Sequence, residues 1–597
     1  MPDSAPSVLG DFVLAWGANA AAWLAQLDGF TLVTDPAEPA QAAVRGAVHQ
    51  GKAADGTRWL AVADLIEGKL EEGTQAITRS ASELPQLHWR GRFAQVAWRP
   101  EEGRAVALSD HFSTLSLYTL VHPDALLVGT DLRLLAGSPW CARTVDLESV
   151  YHYLNFGQIP APKTIFTDIR RHEPSTRFSW HQGRTSADRY YLPEYPEDLR
   201  GSDQALAHEL SERMVATVNA YRPGDAQPWG CFLSGGTDSS SITSILSKQG
   251  RVKSFSIGFA EEAYDELGFA RIAAQACGAD PTFHSVSREE AQGLVSRLTE
   301  AHDQPFGDAS SVPTLACADL AAQRGVKLLI GGDGGDEIFG GNERYAKDRI
   351  METWYAMPAP LKAVGRVVGG VAGRSGSFFL NRVENFFERA SVPNPDRFYT
   401  DDSFASDHYE ELLSPEFRRS VTRDASLEWM RGVYRLGRTG GPLHRVMRLD
   451  LLNAIAQHDL RKVDSATRSA GVSARFPYLD PLLVEWVNRL PERYKVRGLK
   501  KRYLFKLAMR GILPDEILKK KKQGFGLPIS VWLRKDRSFQ AMVRDTLFDA
   551  RARARHWWEP AFVERLLAEH ERATWNHSDY IWRLLMLELW LRRYVDG

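Results

Sequence analysis

The sequence predicts a two-domain protein in which an α+β half precedes an α/β half. Residues 12–180 consist of short apolar or alternating runs broken by Gly, Pro and Asp, a texture typical of a layered β-sheet structure. A connector rich in proline and acidic residues follows at 192–203. Beyond it, apolar strands alternate with long amphipathic helices, which indicates a parallel sheet with helices on both faces.

We place the domain boundary in this connector, so that the two domains comprise residues 1–198 and 199–597. Turn sequences that contain charged residues or proline, RPEEGR and VHPD, separate the predicted strands of the first domain. These strands lie at 93–98, 106–109 and 126–130. The first domain is therefore predicted to be rich in β-structure.

The second domain begins with a predicted helix at 204–221. Each predicted strand of this domain is followed by a turn and a helix. These strands lie at 231–234, 253–259 and 326–332. Residues 343–597 are almost wholly helical by pattern, and we interpret their last apolar segment, 580–594, as a packed core helix.

The composition is that of an ordinary globular protein and excludes several classes. The 597 residues are 44% apolar and 25% charged, and 74 Lys and Arg offset 75 Asp and Glu for a formal net charge of -1. This balance gives no overall attraction to nucleic acid or to an anionic membrane, so we expect neither as a partner. There is no signal sequence and no apolar run of the roughly 18 residues that a spanning helix needs, so we expect a cytoplasmic location.

Two further features have simple structural interpretations. The four cysteines lie far apart without a CxxC pair, so we expect buried, reduced thiols and neither a disulfide framework nor a zinc site. The lysine run at 519–522 is interpreted as a solvated segment and not as a nucleic-acid site.

The sequence FLSGGTDSSS at 232–241 is the strongest chemical signal. A predicted strand ends in Ser-Gly-Gly, and Asp and hydroxyl residues lead into a helix, so backbone N–H groups and the helix N-terminus face an anion. Glycine allows positive φ and a close approach of phosphate oxygens. The glycines are Gly235 and Gly236, the hydroxyl donors are Ser234, Ser239 and Ser240, and Asp238 is a candidate Mg²⁺ ligand. The alternative interpretation is a tight strand-to-helix turn with a serine cap.

A second motif, IGGDGGDEIFGG at 330–341, also follows a predicted strand. Ligands of open α/β sheets bind at the carboxyl edge of the strands, so we expect the two loops to face one site. Asp333, Asp336 and Glu337 form an acidic cluster that is unfavourable in its ionised form without a cation. Asp336 is therefore the second candidate Mg²⁺ ligand, and an acidic surface turn that caps a helix is the alternative.

These motifs resemble those of asparagine synthetases and their relatives, which include β-lactam synthetases and lasso-peptide cyclases. Further segments are similar to family segments in family order: SFSIGF with the YDE sequence at 264–266, DQPFGDAS, RFPYLDPLLVEW and KKKQGFGLPISVWL. The resemblance is strong from about residue 200 onward. Before that, SDHFSTLSLYTL and LNFGQIPAPKTIF are similar to the end of the glutaminase domain and the start of the linker.

The resemblance implies a fold and a reaction. The fold is an N-terminal Ntn-hydrolase-like β-sandwich flanked by helices and a C-terminal PP-loop parallel sheet with a helical extension. In the reaction, which uses ATP and Mg²⁺, a carboxylate is adenylated and an amine then displaces AMP. The implied nucleotide-binding residues are Leu233, Ser234, Gly235, Gly236, Asp238, Ser239, Ser240, Ile257 at the adenine, Gly331 and Gly332, and the implied Mg²⁺ ligands are Asp238 and Asp336.

The first domain departs from the family at its glutaminase site. Active glutaminases of this family use a cysteine that is exposed after removal of Met, whereas this sequence has Pro2 and its first cysteine is Cys141. The glutamine-holding sequence Asn-Gly-Glu-Ile-Tyr-Asn is also missing, and WLAVADLIEG at 59–68 takes about its place. We therefore expect no glutamine hydrolysis, so that nitrogen comes from ammonia or from an amine of the substrate.

The second domain departs from the family at the candidate catalytic residues, which are Asp333, Lys501 and Arg502. Ser473 replaces the family glutamate and Asp333 stands where β-lactam synthetases have a tyrosine, which disfavours a β-lactam product. The usual catalytic lysine aligns best with Arg502, next to Lys501. On a predicted helix these two side chains point about 100° apart, and either is expected to clamp the adenylate phosphate or the oxyanion. A solvated helix face is the simpler alternative.

The leading hypothesis is a carbon–nitrogen ligase that forms the macrolactam of a lasso-type peptide. In this reaction a side-chain carboxylate of a peptide precursor is adenylated and captured by the N-terminal amine of the same peptide. The expected partners are this carboxylate substrate and a leader peptidase. Asparagine synthesis or related amidation with ammonia is one alternative, and a catalytically silent scaffold of the same fold is another.

Overall fold

A computed structural model describes residues 9–596 except 88, 225, 262–266, 359, 361, 363–377 and 521–526. Several features of the sequence lie outside the described residues. They are Pro2, the YDE sequence at 264–266, and residues 521–526, which include the last two lysines of the run at 519–522 and the KKQGFG part of KKKQGFGLPISVWL.

The N-terminal half consists of two six-stranded antiparallel sheets. The strands are β1 Asp11–Gly17, β2 Thr31–Leu32, β3 Ala40–Arg45, β4 His49–Lys52, β5 Arg58–Glu67, β6 Arg90–Arg99, β7 Arg104–Ser109, β8 Tyr118–His122, β9 Ala125–Gly129, β10 Ile169–Arg171, β11 Thr176–His181 and β12 Arg184–Arg189. The sheet orders are β10-β8-β9-β1-β3-β2 and β12-β11-β7-β6-β5-β4. The predicted strands correspond to β6, β7 and β9.

The two antiparallel sheets pack face to face through alternating apolar side chains. Phe12 and Leu14 of β1 lie in one buried cluster with Val62 of β5 and with Val96 and Trp98 of β6. Short helices cover the outer faces of the sheets: α1 Ala20–Leu24, α2 Leu132–Ala136, α3 Leu147–Phe156, and the 3₁₀-helices Leu70–Ile77 and Ala81–Leu87. This arrangement confirms the predicted sandwich flanked by helices.

The C-terminal half contains a five-stranded parallel sheet with the order β15-β14-β13-β16-β17. The strands of this half are β13 Trp229–Phe232, β14 Lys253–Phe259, β15 Asp280–Val286, β16 Leu328–Ile330, β17 Ser473–Arg475, β18 Val496–Arg497 and β19 Lys500–Lys501. The three predicted strands are confirmed as β13, β14 and β16. The prediction that 343–597 is almost wholly helical missed β17, which pairs only through three residues, and the small hairpin β18–β19.

Helices cover both faces of the parallel sheet, as predicted. On one face Phe255 packs with Leu315, and on the other Cys231 and Ile330 pack with Ile242. The helices of this region are α4 Asp203–Ala220, α5 Thr237–Ser247, α6 Leu267–Cys277, α7 Arg288–Ala301, α8 Ser311–Gln323, α9 Gly335–Phe339 and α10 Glu343–Tyr355.

A helical extension completes the C-terminal half. Its helices are α11 Phe378–Ala390, α12 Asp396–Tyr399, α13 Phe404–Asp407, α14 Tyr409–Leu412, α15 Pro415–Arg418, α16 Ala425–Tyr434, α17 Pro442–Asp450, the π-helix Leu451–Asp459, α18 Leu460–Ser469, the 3₁₀-helix Pro477–Leu479, α19 Pro481–Asn488, α20 Glu492–Lys495, α21 Tyr503–Ala508, α22 Asp515–Lys519, α23 Ile529–Lys535, α24 Arg537–Phe548, α25 Ala550–Ala554, α26 Pro560–Glu571 and α27 Ser578–Tyr594. Within the described ranges, no helix combines the length and the apolar composition that crossing a membrane requires.

A buried and a half-buried ion pair join the two halves of the chain. Arg475 of β17 donates to both carboxylate oxygens of Asp64 of β5, at 2.7 and 2.6 Å, and Arg468 of α18 donates to Asp11 of β1 at 2.6 Å. The irregular segment between β12 and α4 contains the predicted boundary after residue 198. Because the halves share charged and apolar contacts, the boundary itself stays a prediction.

Candidate active site

The first motif forms a tight loop between β13 and α5. Gly235 has a φ of +71°, and a β-carbon there would lie 2.4 Å from the backbone carbon of Phe269, so only glycine fits. The backbone N–H of Ser234 donates to the hydroxyl of Ser239 at 3.2 Å, and the two hydroxyl oxygens are also 3.2 Å apart. Gly236 is the N-cap of α5, so the loop presents hydroxyls and a helix N-terminus to one point.

The second motif lies beside the first because β16 pairs directly with β13. A β-carbon at Gly332 would lie 2.9 Å from the Cβ of Asp238 and 3.0 Å from the backbone nitrogen of Ser239. The two loops therefore touch at the carboxyl edge of the sheet. This juxtaposition is the one expected from the sequence.

The two loops border a cavity of about 610 Å³, which we call the nucleotide cavity. Among the candidate site residues predicted from the sequence, the following line it: Leu233, Ser234, Gly236, Asp238, Ser239, Ile257, Gly332, Asp333, Asp336, Glu337, Lys501 and Arg502. The other three, Gly235, Gly331 and Ser240, are not among its lining residues. Ser240 is correspondingly misplaced as a hydroxyl donor, because the first turn of α5 buries its side chain.

The helix predicted around Lys501 and Arg502 begins only at Tyr503, so neither residue lies in it. Lys501 lies in β19, and Arg502 has a left-handed φ of +54° and precedes α21. The backbone N–H of Arg502 donates to the carbonyl of Gly340 at 3.2 Å, which turns its side chain inward. Lys501 borders the same cavity at its rim, where its ammonium pairs with Glu343 at 2.6 Å.

Arg502 binds the two carboxylates that were expected to hold Mg²⁺. Its side chain is buried, with 5% of the residue exposed, and Nη2 lies 2.5 Å from Oδ2 of Asp238. The same guanidinium donates to Oδ1 of Asp238 and to Oδ1 of Asp336. Burial alone would lower the pKa of Arg502, but the two carboxylates raise it well above its ordinary value.

The carboxylates of Asp238 and Asp336 converge as expected, yet in this arrangement they do not fit a protein-bound Mg²⁺. Mg²⁺ needs oxygen ligands in near-octahedral geometry at about 2.0–2.1 Å. Here three of the four carboxylate oxygens accept hydrogen bonds from one guanidinium, which already supplies a positive charge at the point of convergence. The predicted role of these two residues as Mg²⁺ ligands therefore conflicts with the observed position of Arg502.

Asp333 lies in the wall of the nucleotide cavity near a lysine that sequence reasoning missed. Burial raises the pKa of Asp333 to about 6, and the charge of Asp459 adds to this effect while Lys462 opposes it. The ammonium of Lys462 lies 2.9 Å from Asp459 and 3.5 Å from Asp308. The only signal in the sequence is the dense alternation of charges in HDLRK at 458–462.

A second cavity of about 560 Å³, which we call the acidic cavity, adjoins the nucleotide cavity. Ala454 lines both cavities. The acidic cavity contains Asp402 and Asp450, and burial raises the pKa of both carboxyls, that of Asp450 to about 6. Gln158 is 3% exposed in its wall, and its Oε1 accepts no hydrogen bond from the described residues.

The π-helix Leu451–Asp459 separates the two cavities. The π-helix is a rare conformation, and where it occurs it often lies at a functional site. His458 faces the acidic cavity and its Nδ1 lies 3.1 Å from Oδ1 of Asp459, which faces the nucleotide cavity. Burial acts to raise the pKa of Asp459, but Lys462 and His458 hold it well below its ordinary range. A continuous polar network therefore connects the two cavities through this helix.

The sandwich contains one cysteine, Cys141, which follows α2. Partial burial raises the pKa of its thiol, which opposes formation of a nucleophilic thiolate. No described residue of the sandwich therefore provides an activated cysteine.

Comparisons with known proteins agree with the geometry. A family model described as asparagine synthase matches residues 209–592, and one described as a glutamine amidotransferase domain matches 78–191. The chain is 24% identical to asparagine synthetase [glutamine-hydrolyzing] 1 of Bacillus subtilis, over 84% of this chain and 77% of that protein. It is 26% identical to a putative asparagine synthetase of Mycobacterium tuberculosis (85% and 77% covered) and 26% identical to amidase chyE of Penicillium rubens (74% and 70% covered).

Proposed function

Because the chain belongs to the asparagine synthase family, we propose that its amide-forming reaction closes the macrolactam of a lasso-type peptide. Membership makes the chain an ATP-dependent carbon–nitrogen ligase. In the proposed reaction, a side-chain carboxylate of the peptide is joined to the peptide's own N-terminal amine. A partner peptidase that removes a leader segment would expose this amine.

The first half-reaction takes place in the nucleotide cavity. A carboxylate oxygen of the peptide attacks the α-phosphorus of ATP, the bond to the β-phosphate oxygen breaks, and pyrophosphate leaves. The hydroxyls of Ser234 and Ser239 and the N-terminus of α5 stabilise the charge of the leaving group. Mg²⁺ would accompany ATP and neutralise its phosphates.

The second half-reaction forms the amide. The amine attacks the acyl carbon, the bond to the AMP oxygen breaks, and the amine gives up a proton. Asp333 is suited to accept this proton because it lies in the cavity wall and its pKa is raised to about 6. The sum is one amide, AMP and pyrophosphate for each ATP.

The observation that carries the proposal is the acidic cavity beside the nucleotide cavity. Four carboxylates and two guanidinium groups line the acidic cavity, and although Arg344 pairs with Asp402 at 3.5 Å, the excess of carboxylates suits a cationic group. The unpaired Oε1 of Gln158 suits a further donor. A cavity of about 560 Å³ is far larger than ammonia needs, since by the same measure a site for one water molecule needs only about 10–15 Å³. The acceptor that fits is an amine carried by a larger molecule such as a peptide.

One observation favours a catalytically silent scaffold as the alternative function. The ion pairs of Arg502 with Asp238 and Asp336 engage the two carboxylates that were expected to act at the phosphates through Mg²⁺. A scaffold would bind ATP without turning it over. The two functions therefore differ in whether AMP is released.

The test is incubation with ATP, Mg²⁺ and synthetic peptides that carry a free N-terminus and an internal Asp or Glu. We expect AMP release and a product that has lost one water by mass spectrometry. The matched control is the N-acetylated peptide, which should be adenylated but not cyclised. Asparagine formation from aspartate and ammonium would instead support the ammonia-dependent alternative, and unaltered ATP binding without AMP from any acceptor would support the scaffold.

A further inference from the structure

The guanidinium of Arg502 lies between two carboxylates from different loops of the nucleotide site. Nη2 donates to both Asp238 and Asp336, and Nη1 donates to the second oxygen of Asp238. Asp238 comes from the first turn of α5 and Asp336 from α9. One side chain therefore bridges the two motifs at the point where the family relationship expects a divalent cation.

Several contacts fix Arg502 in this position. Its backbone holds a φ of +54° and its N–H donates to the carbonyl of Gly340 at 3.2 Å. A β-carbon at Gly341 would lie 2.1 Å from Nε of Arg502 and 1.9 Å from Oδ1 of Asp336, so the absence of a side chain there makes room for the pair. The ring of Phe505 lies 5.2 Å from the guanidinium carbon. The arginine is thus part of the folded site and not a mobile surface group.

We propose that Arg502 is the resident cation of the nucleotide site and takes the place of a protein-bound divalent metal. Its planar fork satisfies one carboxylate in bidentate fashion and reaches the second, which a lysine ammonium does not do equally well. A divalent cation at the same point would have to break these hydrogen bonds against the charge of the guanidinium. Mg²⁺ therefore enters this site only as the complex with ATP.

In this role Arg502 is a positioning residue, because it acts through Asp238 and Asp336. It holds the two loops at their working distance before any nucleotide arrives. The role does not depend on which amine the ligase uses, so it can be tested independently of the proposed macrolactam reaction.

The test measures Mn²⁺ binding to the nucleotide-free protein by electron paramagnetic resonance. The wild-type protein is expected to bind no Mn²⁺ at this site up to about 1 mM, the range of weak carboxylate sites. Arg502→Gln removes the charge and should increase the affinity for Mn²⁺ by at least on the order of tenfold. Adding Asp336→Asn to Arg502→Gln should abolish the gain, which would place the ion between the two carboxylates.

Arg497→Gln is the matched control, because Arg497 pairs with Asp203 outside the nucleotide cavity. It should leave Mn²⁺ binding as in the wild type. If Arg502→Gln fails to fold, Arg502→Lys keeps the charge but frees carboxylate oxygens, and it should bind Mn²⁺ more tightly than the wild type. Tight one-to-one binding of Mn²⁺ to the wild type that Asp336→Asn alone abolishes would overturn the proposal, as would no gain in any folded Arg502 variant; binding that Asp336→Asn leaves unchanged would belong to another cluster, such as Asp308, His458 and Asp459. Neither outcome involves ATP turnover.

Discussion

Gly332 sets the distance between the two loops of the nucleotide site. A β-carbon there would lie within 3.0 Å of backbone and Cβ atoms of Asp238 and Ser239, which cannot move aside as a flexible side chain can. We expect Gly332→Ala to displace the first loop and to lower the rate of adenylation about 100-fold, since displacements of about 1 Å have effects of this size. ATP-dependent AMP release measures the effect.

Gly293→Ala is the matched control for this change. Gly293 lies on the exposed side of α7, and a β-carbon there would meet nothing within 4 Å. The control should leave the rate unchanged and raise stability by about 0.5–1 kcal/mol. Equal rates for the two variants would show that the loops are not in close contact in solution.

Asp333 should give the reaction an acid limb in its pH dependence. Burial raises its pKa from 3.8 to about 6, so Asp333 is protonated below that pH and cannot accept the proton of the amine. We expect single-turnover amide formation to fall as the pH drops below about 6, and Asp333→Asn to be slower by about 100-fold with this limb absent. An unchanged limb in the variant would assign the proton acceptor elsewhere.

Arg502 shows what residue patterns could not predict. The resemblance to the family identified the position, but it did not show that Arg502 precedes the helix with a left-handed φ and contacts Gly340 and two carboxylates. Those partners are more than 150 residues away in the sequence. The helix propensities of the residues around Arg502 give no information about contacts with such distant residues.

The π-helix Leu451–Asp459 forms the wall between the nucleotide cavity and the acidic cavity. Ala454 lines both of them, so a larger side chain there would narrow the opening through which the amine in the acidic cavity reaches the acyl-adenylate in the nucleotide cavity. We expect Ala454→Leu to leave adenylation nearly intact but to raise the amount of AMP released per amide formed, because the acyl-adenylate is then hydrolysed before capture. The ratio of AMP to cyclic product measures this uncoupling.

Ala216→Leu, on the exposed face of α4, is the matched control and should keep the ratio of the wild type. An unchanged ratio in Ala454→Leu would mean that the amine does not approach from the acidic cavity.

At the scale of the whole molecule, the sequence was sufficient to predict the fold class and the pairing of the two loops. Period-two alternation marked the strands of the sandwich, and strands followed by helices marked the parallel sheet, because both patterns reflect which side chains are buried locally. The acidic cavity could not be predicted in this way. Its walls come from α3, α17, α27 and the π-helix, whose order along the chain does not specify how they pack.

The buried ion pair between Arg475 and Asp64 should contribute strongly to holding the two halves together. Both side chains are less than 10% exposed and their groups are 2.6–2.7 Å apart. Arg475→Ala leaves a buried carboxylate without its cation, so we expect the free energy of unfolding to fall by about 3–5 kcal/mol and the melting temperature to fall by roughly 5 °C by calorimetry.

Arg489→Ala is the control: it removes a pair with Asp198 that is about half exposed, and it should lower the free energy of unfolding by less than about 1 kcal/mol. The double variant Asp64→Leu with Arg475→Met should recover most of the loss, because it leaves no unpaired charge; similar melting temperatures for the double variant and Arg475→Ala would instead assign the loss to packing.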